Sequence, residues 1–132
     1  MEYRFNKQVY WPKWSSGAIV SFLERTDSTR LFLSDHAEDK LEGAKGKSQI
    51  RKKKDLILKY IEGPKLSHKN VFEFYLGSDM SLKKVCHREK LFDTNYDIIL
   101  VIAKDNKIVT FYLNKSNYVH SNLNIGNYFR GE

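Results

Sequence analysis

The stretch DIILVIAKDNKIVTFYL, residues 97–113, decides the fold class. DIILVIA is continuously apolar, the pattern of a central strand covered on both faces. KDNK is a tight connection, because Asp and Asn tolerate the positive φ that hairpin turns demand. IVTFYL then alternates, which puts Val109, Phe111 and Leu113 on one face and Ile108, Thr110 and Tyr112 on the other. Two strands joined so closely form an antiparallel hairpin.

Moving toward the N-terminus, residues 83–90 (KKVCHREK) read as a strand with its basic residues outward, followed by a loop at 91–96. In VFEFYL, residues 71–76, the alternation predicts Phe72, Phe74 and Leu76 on one face and Val71, Glu73 and Tyr75 on the other. Earlier still, the period lengthens. Ser48 is placed to cap a helix, IRKKKDLILKYIEGP, that buries Ile50, Ile57, Tyr60 and Ile61 and stops at Gly63-Pro64. SDHAEDKLEGAKG is a shorter helix: Ser34 or Asp35 caps it, Asp35 and Glu38 have capping-box spacing, and Ala37, Leu41 and Ala44 form its apolar stripe. Residues 30–33 read as a short strand, residues 25–28 (RTDS) as a turn, and residues 17–23 (GAIVSFL) as a first strand. The tail from Asn114 has little periodicity beyond Leu123, Ile125 and Phe129, and reads either as a short edge segment wrapping the domain or as a partly mobile end. The expected fold is therefore α+β, with one or two helices from the N-terminal half packed on an antiparallel sheet of about four to five strands.

The 132 residues suit one domain, which at this size buries roughly two thirds of the unfolded chain's surface and needs neither disulfide nor metal. The single cysteine, Cys86, excludes an intramolecular disulfide. Scattered histidines and unclustered carboxylates give no metal pattern, and no phosphate-binding glycine loop, HExxH or GxSxG motif occurs. No cofactor is expected. MEYRFNKQVYW has no apolar segment of a signal peptide, and the longest apolar run, residues 98–103, is far too short to span a bilayer. These features predict a cytoplasmic protein with no membrane partner. The net charge of +7 either favours a polyanionic partner, nucleic acid or an anionic surface, or serves solubility alone.

Three groups could carry chemistry. His36 and Lys40 lie at i, i+4 and so share a flank of the shorter helix, where a histidine can act as acid or base and a lysine can neutralise phosphate. In the segment Cys86-His87-Arg88, a strand would turn His87 one way with Val85, and Arg88 the other way with Cys86. Thr110 and Tyr112 offer adjacent hydroxyls and a ring for base stacking. Apart from these, Arg51, Lys52, Lys53 and Lys54 form a basic run at a helix start, either a solvated face or an RNA-backbone contact. The aromatic N-terminus offers Trp11 and Trp14 as anchors for a larger assembly.

The order of LFLSDHAEDKL, a second helix ending EGP, and IILVIAKDNKIVTFYLN resembles a small bacterial and phage domain family grouped with the barnase, EndoU, colicin and RelE type of ribonuclease. That family reads S-x-H-A-x-x-R early and ends in a V-V-x-D-x-x-I-x-T-x-Y hairpin. The resemblance covers residues 30–114, leaving residues 1–29 as an extension and 115–132 as a tail. Lys40 stands where the family has Arg. The resemblance implies metal-independent RNA cleavage by attack of the ribose 2′-oxygen on the adjacent phosphate. His36 would be acid or base, Lys40 or Arg88 would meet the phosphate, and Thr110 and Tyr112 would position substrate. An RNase-like toxin of a phage or mobile element is the first expectation. The toxin's protein partner would be an antitoxin; the alternative is a small non-catalytic accessory protein that binds nucleic acid or inhibits a host enzyme.

Overall fold

Residues 97–113 do form the expected hairpin. In the computed structural model, which describes residues 3–6, 13–43 and 48–116, β5 (Tyr96–Ala103) and β6 (Lys107–Lys115) pair antiparallel. Asp105 and Asn106 between them adopt φ of 63° and 67°. Two successive left-handed residues give the turn a twist that matches its strands. The Asn106 Oδ1 also accepts a hydrogen bond from the Asp27 N–H at 2.7 Å.

The sheet grows from this hairpin. β4 (Leu82–Lys90) pairs with β5, β3 (Val71–Leu76) with β4, and β1 (Tyr3–Asn6) with β3, all antiparallel. The two-residue β2 (Phe32–Leu33) lies parallel on β6. The sheet has six strands in the order β1-β3-β4-β5-β6-β2, more than the sequence predicts. The strand the sequence reading lacks is the edge strand β1, four residues and too short to show a period, whereas β2 falls within residues 30–33, where a short strand is expected. β5 is an interior strand, and Ile98, Ile99, Leu100, Val101 and Ile102 are all buried, which explains its unbroken apolar run.

Residues 17–23 correct the sequence reading: they lie within helix α1 (Ser15–Glu24). Ser15, Ile19 and Phe22 are its buried positions, an i, i+4, i+7 stripe that seven residues in isolation do not separate from a buried strand. Helix α2 (Asp35–Leu41) starts where expected. The Ser34 Oγ accepts the Ala37 N–H at 3.1 Å and donates to the Val109 carbonyl at 2.6 Å. Ala37 and Leu41 are buried, whereas Ala44 lies outside the described residues.

The expected second helix is broken into α3 (Ser48–Lys52) and α4 (Lys54–Ile61), with Lys53 non-helical at the junction. Four consecutive cations at a helix start oppose the macrodipole. The break puts Arg51 and Lys52 in a last turn, where cations are favoured, and gives the first turn of α4 an acid, Asp55. Ile50, Ile57, Tyr60 and Ile61 form the buried face as predicted.

Two strand faces differ from simple alternation because of bulges. Val71 pairs with His87 and Glu73 with Cys86, which leaves Phe72 as an extra residue. Thr110 pairs with Val101 and Ile108 with Ile102, which makes Val109 the extra residue of β6. Each bulge shifts the inward set by one position. Val71 therefore joins Phe74 and Leu76 in the core, and Ile108 joins Phe111, with Leu113 packed beside them, while Phe72 and Val109 turn to the opposite face. The main core lies between this inward face and α1, α2, α3 and α4. Phe5, Ile19 and Phe22 belong to it, so the segment before residue 30 is part of the same core. On the opposite face Cys86, Ile99 and Val101 are buried among Phe72, Tyr75, Val109 and Tyr112. No described helix is long and apolar enough to cross a membrane. The tail positions Leu123, Ile125 and Phe129 lie outside the described residues.

Candidate nucleic-acid interface

The five residues expected to meet at one site are only partly assembled. Lys40 reaches across from α2 to the edge of β6. Its Nζ donates to the Phe111 carbonyl and lies 4.0 Å from the Tyr112 ring centroid. Along most of its length β6 has no strand beyond it, since β2 pairs only at Lys107 and Ile108. The lysine thus supplies a donor to a sheet edge that would otherwise be open. Thr110 shares the Tyr112 face, but its Oγ1 is buried and has no hydrogen-bond partner among the described residues. His36 is exposed, one turn before Lys40 on α2.

Arg88 lies two strands away, since Tyr112 pairs with Ile99 and Ile99 with Arg88. Two strand spacings put it roughly 10 Å from Tyr112 across the sheet. Its guanidinium is engaged: Nε donates to Asp97 at 2.7 Å and an Nη donates to the Lys115 carbonyl at 3.3 Å. Asp97 in turn accepts from the Ser116 hydroxyl at 2.7 Å. Arg88 therefore ties the ends of β4, β5 and β6 together with its charge compensated.

Cys86 and His87 face opposite sides of β4 as alternation requires, and both are buried. Burial, and then the carboxylate of Glu73, hold the Cys86 thiol well above its ordinary value, which makes it unreactive. His87 packs on the core face and accepts the Ser67 N–H at Nε2, at 3.1 Å. Its Nδ1 is buried without a partner among the described residues. Burial lowers its pKa from 6.5 to about 4. The ring is a neutral core acceptor with no access to a substrate.

The basic run behaves differently from a plain helix face. Lys54 pairs with Glu42 at 3.0 Å. Arg51 and Lys52 are exposed. Lys53, freed from helical geometry, lies over the Tyr96 ring with its Nζ 4.9 Å from the centroid. From Tyr96 a band of cations and rings continues. A hollow of about 450 Å3 is lined by Tyr96, Asn95, Lys90, Lys115 and Ser116. Lys90 also lines a second hollow of about 660 Å3, together with Lys59, Lys65, Phe92 and Tyr60. Lys59 places its Nζ 5.5 Å from the Phe92 centroid. Glu62 and Glu89 are the acids of this hollow, and Glu89 is engaged by the Tyr60 hydroxyl at 2.6 Å. Burial, and then that bond, raise the Tyr60 pKa, so the phenol stays protonated.

Sequence reasoning missed Phe92, Tyr96, Lys59, Lys65, Lys90 and Lys115 as a group. They are brought together by the packing of α4 against the tip of the β4–β5 hairpin. One signal was present: a Phe inside the polar loop LFDTN has no place in an amphipathic pattern. Of the N-terminal aromatics, Trp14 is partly exposed and meets Phe5 and Phe74 edge-on at 6.4 and 6.1 Å, whereas Trp11 lies outside the described residues. Among the described residues no three of His, Cys, Asp and Glu come together as a metal-binding group. No protein-family model matches the chain, and neither the curated proteins nor the solved structures contain a significant match, so the likeness to the ribonuclease group rests on its sequence motifs alone.

Proposed function

We propose that this chain binds RNA through the lysine and aromatic band at the tip of the β4–β5 hairpin. The observation that carries the proposal is the continuity of the band. Lys53 stacks on Tyr96, Tyr96 and Lys90 share one hollow, and Lys90, Phe92 and Lys59 share the next. Cations spaced along a groove follow a phosphate backbone, and the net charge of +7 adds a long-range attraction. The motif resemblance favours RNA over DNA. Fluorescence anisotropy with labelled single-stranded RNA, titrated at several salt concentrations, tests this reading. Binding should weaken steeply with salt, and the pair Lys53→Glu with Lys90→Glu should abolish most of it. Unchanged affinity in that pair, or no binding at low salt, would count against the proposal.

A second reading is metal-independent RNA cleavage, favoured by the contact of Lys40 with Tyr112 and by His36 one turn away on the same helix. His36 would move the proton of the attacking 2′-hydroxyl or of the leaving 5′-oxygen, and Lys40 would offset the charge gathering on phosphate. An antitoxin or a host enzyme would be the protein partner of such an activity. RNA decay in EDTA, equal for the parent protein and His36→Ala, would remove His36 from the mechanism.

A further inference from the structure

Phe92 is the least explained large side chain on this surface. It occupies the second position of the turn 91–94, with a backbone φ of 49°. A bulky aromatic residue in the left-handed region is a conformational outlier, since Gly, Asn or Asp take that position at lower cost. Burial does not offset this cost, because the ring is 42% exposed. The turn holds it firmly all the same. The Thr94 N–H and Oγ1 both donate to the Leu91 carbonyl, at 3.1 and 2.8 Å. The Leu91 N–H donates to the Tyr96 carbonyl at 2.9 Å, and the Leu91 side chain is fully buried. The strained residue is thus fixed by its neighbours and presents its ring to solvent. Strain retained at a large side chain that stays this exposed motivates a functional reading of the position.

The surroundings of the ring define what it would receive. Tyr60 meets it edge-on at a centroid distance of 6.2 Å and 79°, which steadies the ring, and the flexible Lys59 side chain, with its Nζ 5.5 Å from the centroid, is the group that an entering base displaces toward its phosphate. Lys59, Lys65 and Lys90 line the same hollow of about 660 Å3, beside Glu62 and a Glu89 engaged by the Tyr60 hydroxyl. An aromatic platform with three lysines around it suits a flat, π-faced group attached to an anion. Resting on the RNA-binding reading above, we infer that Phe92 is a stacking platform for one unpaired base of a single-stranded nucleic acid, with the flanking phosphates on Lys59, Lys65 and Lys90. A base within a duplex has both faces covered and cannot stack there, so the site selects unpaired strands.

The test compares Phe92→Gly and Phe92→Trp with the parent protein. Glycine accepts this backbone conformation freely, so Phe92→Gly should melt at the same temperature or higher. Its affinity for a fluorescein-labelled uridine oligonucleotide of about 12 nucleotides should nevertheless fall by roughly fivefold to a hundredfold, the range of one lost base–aromatic stack. The salt dependence should keep its slope, because no charge is removed. Phe92→Trp should bind at least as well as the parent, and a duplex of the same length should bind both variants as it binds the parent. Equal oligonucleotide affinity of Phe92→Gly and the parent would overturn the platform while leaving the lysine band intact. Such a result would assign the exposed ring to a protein contact. A parent protein that binds no oligonucleotide at low salt would overturn both readings. A Phe92→Gly protein that loses stability as well as affinity would also count against the platform, because the ring would then be structural.

Discussion

Acidification should weaken this fold through His87, and the size of the effect follows from its surroundings. The ring is buried, and its Nε2 accepts the Ser67 N–H at 3.1 Å. Protonating the ring would place a cation in the core, and this burial lowers the folded pKa to about 4 from 6.5. The sign follows from which state takes up the proton first. As pH falls below about 6.5, the unfolded chain protonates while the folded ring stays neutral, so stability is full above this range and is lost down to about pH 4. Linkage gives a loss of about 2 kcal/mol by about pH 5 and about 3 kcal/mol by about pH 4. Urea denaturation at several pH values, followed by tryptophan fluorescence, measures it. His87→Gln is the control, since an amide oxygen can accept the Ser67 N–H without titrating. The exposed carboxylates Asp27 and Asp79, whose pKa values are lowered by hydrogen bonds from Thr29 and Ser81, lose their contributions only below their ordinary value of 3.8. They act outside the window of His87. Parallel loss of stability in the parent protein and His87→Gln between about pH 7 and about pH 5 would refute the reasoning.

Other substitutions probe the joints of the fold. Ser34→Ala removes both the cap of α2 and its tie to the Val109 bulge, and should cost about 1–2 kcal/mol in chemical denaturation. Asp97→Asn leaves the half-buried Arg88 guanidinium without its counter-charge. It should cost about 1 kcal/mol, less at high salt, with a double-mutant cycle against Arg88→Met isolating the pair. Asn106→Val forces a β-branched residue into φ of 67° and should lower the melting temperature, whereas Asn106→Gly relieves the backbone and loses only the exposed bond from the Asp27 N–H, so it should lower the melting temperature less.

The fold was legible where one period ran long enough. The β5–β6 hairpin declared itself through six consecutive apolar residues, 98–103, and through a turn pair suited to positive φ. Ser34 announced α2, and Ile50 with Ile57, Tyr60 and Ile61 announced the buried face that α3 and α4 share. Residues 17–23 failed because a helix with a short buried stripe and a buried strand look alike over seven positions. The bulges at Phe72 and Val109 were invisible for a different reason. An extra residue in one strand is defined only by its pairing partner, so no single strand sequence contains it.

The same division separates the two candidate sites. Local order along the chain placed His36 and Lys40 on one helix and Thr110 and Tyr112 on one strand face, because helix and strand periods are properties of adjacent residues. The sequence by itself also determined the basic charge and the α+β class. Only the tertiary structure decided that Arg88 is tied to Asp97, that His87 is a neutral core group, and that Lys53, Tyr96, Lys90, Phe92 and Lys59 form one band. These outcomes depend on contacts between residues distant in the chain, made when the hydrophobic faces of α4 and the sheet close on one another, and no local pattern encodes which polar groups that closure brings together.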